Sequence, residues 1–231
     1  MANSFSQLLI IYLTTPPSDF YLSKIVRSSS NPTLEPFTAS ELSLGSQSVL
    51  GVSMALSLQN ISIQGLSNVQ IKKNNGKPVI TVNGNDVNFV AEMPNTEAPP
   101  DNVPNQFTIS AGLLVVPDGT PSFKGGLYIT IKSSELTGNF TATSSDGTAG
   151  QVQVNYTSLA IGAVADKSNI TITLTLDSAD SQMSPFISSI LNQNAILSRI
   201  VSGVADALNQ PNILQAISQY STIAARNVLS A

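Results

Sequence analysis

The stretch from Leu50 to Ile71 constrains the fold more than any other part of the chain. Leu50, Val52, Met54, Leu56 and Leu58 alternate with small or polar residues, the period of a strand with one apolar face. At Gln59-Asn60 the phase slips by one residue, and Ile61 and Ile63 carry the pattern on. In a regular strand such a slip turns the apolar set to the wrong face. A β-bulge is therefore expected at Gln59-Asn60, and bulges bend and twist the strand that carries them. Gly65 breaks the run; Leu66, Val69 and Ile71 resume it. The stretch reads as one very long, bent, amphipathic strand pair, and the rest of the chain must supply what its apolar face covers.

The remaining periods supply partners. Asn74-Asn75-Gly76 is a hairpin turn, because Asn-Gly suits central residues with positive φ. Pro78 to Val82 and Val87 to Met93 alternate, with Ile80, Val82, Val87, Phe89 and Ala91 on one side. Thr96 to Asn105 reads as an exposed loop. Phe107 to Leu113 is a strand ending in the turn Pro117-Asp118-Gly119, and Gly126 to Ile131 follows. Leu136–Thr143, Val152–Tyr156, Leu159–Ala163 and Ile170–Leu176 complete a meander. Before the sheet, Ser18 is placed to cap a short helix with Phe20, Leu22, Ile25 and Val26 inward.

The last fifth changes period. Ser184-Pro185 reads as N-cap and first helical residue. Apolar residues then recur at three and four from Phe186 to Leu208. That predicts one helix of about 25 residues, roughly 37 Å long. Pro211 opens a second helix, to about Val228, with Ile213, Leu214, Ile217 and Ile223 inward.

At 231 residues the chain suits one domain, 1–231, with an N-terminal helical segment (1–33), a β-meander (34–180) and C-terminal helices (184–231). Only 10% of residues are charged and the net charge is −4. No electrostatic footprint for nucleic acid results; Lys72, Lys73 and Lys77 read as a solvated hairpin tip. With no histidine and no cysteine, Ser-His-Asp and Cys-His nucleophiles, disulfides and nearly all zinc sites are excluded. Asp177 and Asp180 read as a solvated turn, Asp146 and Asp166 as turn devices. Asn60, Asn139, Asn155 and Asn169 begin sequon-like triplets that carry no weight in so Ser/Thr-rich a chain. No apolar run approaches the roughly 18 residues of a membrane span. Leu8 to Leu13 makes a poor signal peptide, so the compartment stays open between cytoplasm and export without a recognisable leader.

Leu58-Gln59-Asn60-Ile61-Ser62-Ile63-Gln64-Gly65-Leu66-Ser67-Asn68-Val69-Gln70-Ile71 resembles the Leu-x-Asn-(Ile/Val)-x-(Ile/Val)-x-Gly-Leu-Ser-Asn-x-x-(Ile/Val) strand of the takeout and juvenile-hormone-binding proteins. These belong to the tubular lipid-binding superfamily. Gly112 to Pro117 followed by Gly125 to Ile131 resembles a hairpin of the same family, and Leu34-Glu35-Pro36-Phe37 the segment leading into its first strand. The resemblance covers roughly Leu34 to Leu208. It implies an α+β fold: a long, strongly bent antiparallel sheet wrapped as a barrel around one long C-terminal helix.

It also implies an apolar tunnel between sheet and helix. The side chains nominated to line it are Met54, Leu56, Leu58, Ile61, Phe89, Phe107, Ile109, Leu113, Ile129 and Phe140 from the sheet. Ile187, Ile190, Leu191, Leu197, Ile200, Val201 and Val204 come from the helix. The implied activity is non-enzymatic binding or transfer of a hydrophobic ligand, a lipid, fatty acid or terpenoid chain, with no cofactor and no metal. The alternative is a structural or protein–protein module, of the kind found in bacterial toxin or secretion clusters. A homodimer and transient membrane contact are left open.

Overall fold

The computed structural model describes residues 4–16, 18, 20–27, 36–49, 51–93, 106–119 and 121–231. In chain order these form α1 (Ser4–Thr14), α2 (Leu22–Arg27), β1 (Phe37–Val49), β2 (Val52–Gln64), β3 (Gln70–Ile71), β4 (Lys73–Asn74) and β5 (Lys77–Pro78). They continue as β6 (Ile80–Asn83), β7 (Asp86–Glu92), β8 (Phe107–Pro117), β9 (Phe123–Ile131), β10 (Glu135–Ser144), β11 (Val152–Gly162) and β12 (Ile170–Leu176). Then come α3 (Ser184–Leu191), α4 (Asn194–Leu208) and α5 (Pro211–Ser230). The loop expected over Thr96–Asn105 lies outside the described residues.

Two five-stranded antiparallel sheets hold most of the strands, and β4 and β5 form a separate two-stranded hairpin. One has the order β1-β2-β8-β9-β12; the other runs β11-β10-β7-β3, with β6 beside β7. Among the described residues neither sheet closes on itself into a barrel. The bulge falls where the phase slip demands it. Gln59 faces Gly112 and Ser62 faces Ser110, leaving Asn60 and Ile61 opposite Ala111 alone. Asn60 takes the left-handed conformation, φ 50°, which asparagine tolerates better than most residues. The result is that Leu58 and Ile61 are both buried.

The long strand expected through Ile71 ends earlier. Gly65, at φ 115°, begins a 3-10 turn over Leu66–Asn68, and the chain then passes to the second sheet at β3. A side chain at Gly65 would overlap the Gln106 carbonyl at the start of β8. The period continued because Leu66, Val69 and Ile71 are all buried, although in a different element. Further crossings are tied by Asn169. Its side chain accepts from Ser133 N–H (2.7 Å) and donates to the Ser133 and Val164 carbonyls (2.8 and 3.1 Å). The sequon-like asparagine is a buried structural hub.

The C-terminal helices seal the sheet edges. The single helix expected over 184–208 is broken: Gln193 is extended (ψ 138°) and separates α3 from α4. Asn192 ends α3, its Nδ2 donating to the Ser188 carbonyl at 2.8 Å. Ser184 is itself helical and follows a 3-10 turn, Ser178–Met183, so it is the first residue of α3 rather than its cap. The longest helix is α5. α4 packs against β1 and β11, one edge strand from each sheet, and α3 packs against β12. α5 lies along β11. The Arg199 guanidinium donates to the Leu44 carbonyl of β1. Asn209 accepts from Leu159 N–H (3.0 Å) and donates to the Leu159 carbonyl.

Along α5, Ser218 accepts from Tyr156 N–H (2.8 Å), Thr222 accepts from Val154 N–H (2.9 Å), and Arg226 Nε donates to the Val152 carbonyl (2.8 Å). Four helical residues rise about 6 Å and two strand residues about 6.6–6.8 Å. The near match lets every fourth helix residue meet every second strand residue. Backbone groups that an edge strand otherwise leaves open are thereby paired.

Candidate functional site

Between β1, β2, β8 and α4 lies a cavity of about 230 Å³. Its floor is apolar. Leu58, Ile61, Ile63 and Ile109 come from the sheet, and Ile200 and Val204 from α4; all six are buried. Its mouth is polar, formed by Glu41 and Ser43 of β1, Asp206 of α4 and Gln210 just beyond it, all exposed. The helix contributes Ile200, Gly203, Val204 and Ala207, spaced three and four apart on one face. The bulge contributes the other wall, since without it Leu58 and Ile61 cannot both face inward. At Gly203, where α4 meets β1, an added Cβ would overlap the present position of the Leu42 side chain.

Five residues nominated from the sequence meet at this cavity: Leu58, Ile61, Ile109, Ile200 and Val204. Met54, Leu56, Phe107, Leu113 and Ile129 are buried on the inner face of the same sheet and are not part of its lining. Ile187, Ile190 and Leu191 are buried on α3, and Leu197 and Val201 on α4. Phe89 and Phe140 sit in the second sheet, in an aromatic cluster with Phe20 and Tyr156. Phe140 meets Tyr156 at 5.3 Å and Phe20 at 6.0 Å between ring centroids. Phe89 lies over Gly138, where a Cβ would overlap the ring.

Sequence reasoning missed one wall altogether. Ala39, Glu41, Leu42 and Ser43 belong to β1, a strand not assigned from the sequence. Phe37, Ala39, Leu42 and Leu44 alternate with the same one-residue slip as β2, and that shared slip was the available signal.

Outside the cavity several polar groups serve local structure. Asp146 accepts from Thr148 N–H and Oγ1 (2.9 and 2.7 Å), and these bonds hold its carboxyl below the ordinary carboxylate range. Asp166 is held low in the same way by the Ser168 hydroxyl and the Asn169 and Ser168 amides. Lys72 is not at the hairpin tip; it pairs with Glu135 and Glu92, and the Glu135 hydrogen bond pushes its pKa up. The Tyr156 hydroxyl is pushed well above the usual tyrosine range by burial, with Ser221 offsetting part of the effect. Yet neither hydroxyl has a hydrogen-bond partner of proper geometry. Among the described residues no group of three or more acidic side chains is placed to hold a metal. No described helix is long and apolar enough to cross a membrane.

Fold and cavity together define an α+β protein whose open antiparallel sheets are sealed by C-terminal helices over an apolar interior. Its structure is similar to the crystal structure of Epiphyas postvittana Takeout 1, at 12% identity and a TM-score of 0.48, over 90% of this chain and 87% of that one. It is also similar to that of lipopolysaccharide binding protein, at 11% identity and a TM-score of 0.40, over 84% of this chain and 38% of that one. No protein-family model matches the sequence, and no curated protein matches it.

Proposed function

We propose that this protein is a non-enzymatic binder of a hydrophobic small molecule, held in the cavity between the β1–β2–β8 face and α4. The observation that carries the reading is the lining: six buried aliphatic side chains below a polar, exposed mouth. A concave apolar floor with a few polar groups at one end is the usual form of a small-molecule site. The volume limits the ligand. About 230 Å³ exceeds the roughly 150 Å³ of a dry protein cavity that takes benzene and falls short of the roughly 300 Å³ at which drug-sized sites begin. It suits one short acyl chain or a small terpenoid, not an enclosed two-chain lipid. Eight methylenes moved out of water are worth about 6 kcal/mol before ordering costs.

Native mass spectrometry before and after organic extraction, with calorimetric titration of 1-octanol, tests this. A co-purifying small molecule, or octanol binding that Ile109→Trp abolishes, supports it. A clean apo mass with no octanol binding overturns it. The second reading, a structural or interaction module, draws on the filled aromatic core beneath the second sheet and would then stand.

A further inference from the structure

We infer that the ligand's head group is a cation, an alkylammonium or a quaternary ammonium, and not a carboxylate. The inference rests on the proposed cavity and deepens it. Both charged side chains of the mouth are negative. Glu41 and Asp206 flank it, joined by Ser43 and Gln210, and no lysine or arginine is among the residues that line it. Asp206 lies in the last turn of α4, which ends at Leu208 and carries no basic residue in that turn. The carbonyls of Ala205, Asp206 and Ala207 already accept from Asn209 and Gln210, and α5, whose N-cap is Gln210, presents a helix pole of opposite sign. The two carboxylates therefore carry the inference, and no side chain of α4 supplies a cation beside them. Arg199, the one cation on α4, is two turns back and is committed to the Leu44 carbonyl, in the space that Gly45 leaves free.

An amphiphile that places its tail against Ile200 and Val204 brings its head to Glu41 and Asp206. A fatty acid would set a third negative charge there. An ammonium head would gain from both carboxylates, and its hydration would persist because the mouth is open to water. Both carboxylates are exposed, so the discrimination is moderate and salt-sensitive.

Three probes of one chain length separate head from tail: octyltrimethylammonium, 1-octanol and octanoate, titrated calorimetrically into the wild-type protein at low salt and pH 7. Octyltrimethylammonium is expected to bind about tenfold tighter than octanoate, with octanol between them. Glu41→Gln/Asp206→Asn, two exposed substitutions, is expected to remove the difference between the cation and the carboxylate. Tetramethylammonium, which has no tail, is expected not to compete. If octanol binds but octanoate matches or exceeds the cation, the head-group inference falls while the cavity reading stands. A cation preference that survives in the double variant overturns the assignment to these carboxylates. If none of the three binds, the cavity reading itself fails.

Discussion

Single side chains decide where this molecule tolerates change. Ile200 is fully buried at the cavity floor, and Ser202, two residues on, is exposed. Ile200→Asp would place a carboxylate in a dry site, where it must protonate or disrupt packing. It is expected to abolish octanol binding and to cost about 3 kcal/mol or more in denaturant melts. Ser202→Asp is expected to change neither. An Ile200→Asp protein that melts like wild type would mean that α4 does not rest on the sheet. Tyr156 makes the opposite case. Its hydroxyl is buried with no partner of proper geometry, so its desolvation cost outweighs the partial offset from Ser221. Tyr156→Phe keeps the ring contacts with Phe140 and Phe89 and is expected to leave stability unchanged or raise it by up to about 1 kcal/mol. A clear loss in the same melts would reveal a hydrogen bond that the geometry does not show.

At the scale of the element, α5 acts as the cover of an edge strand. β11 ends its sheet, and an uncovered edge is a template for pairing with another chain. Ser218, Thr222 and Arg226 answer that edge with side chains in place of a neighbouring strand. Ser218→Ala/Thr222→Val is therefore expected to speed amide exchange at Val154 and Tyr156, which lose their acceptors, and not at the paired amides inside β10. Unchanged protection at both residues would show that the edge is sealed by something other than this ladder. The break between α3 and α4 belongs here too. It lets α3 follow β12 while α4 turns to the β1 and β11 edges, two directions that one straight helix could not take.

For the whole molecule, charge is scarce and its titration simple. With no histidine and no cysteine, no side chain with an unperturbed pKa changes charge between about pH 5 and 8. Stability is expected to be nearly flat there. The acid limb is set in part by Asp146 and Asp166, whose folded pKa values lie below the ordinary 3.8. A depressed folded pKa means that the unfolded state takes up protons first, so their contribution is complete above 3.8 and is lost as pH falls through the folded values. Asp146→Asn/Asp166→Asn is expected to flatten the fall in melting temperature below pH 4, to a small extent since both groups are exposed. An unchanged acid limb would assign the loss to other carboxylates.

What the sequence determined by itself was local and periodic. The bulge at Asn60, the Asn75-Gly76 turn with both residues at positive φ (50° and 77°), the strands of the meander and the change to helical period after Ser184 each follow from the order of a few neighbouring residues. Burial was legible for the same reason, since an apolar stripe must be covered by something. The tertiary structure decided what those patterns leave degenerate. Leu66, Val69 and Ile71 keep the apolar period across Gly65, yet they change sheets, because burial is satisfied equally by either one. The period from Ile187 to Val204 runs on through Asn192-Gln193, where the backbone turns and the stripe resumes on another helix. The cavity is the clearest case. Leu58, Ile61, Ile109, Ile200 and Val204 are indistinguishable in the sequence from Phe107 or Leu197, which are packed solid. Whether a gap remains depends on how closely α4 approaches β1, and residues far apart in the chain meet there: Gly203 lies against Leu42, and Arg199 donates to the Leu44 carbonyl.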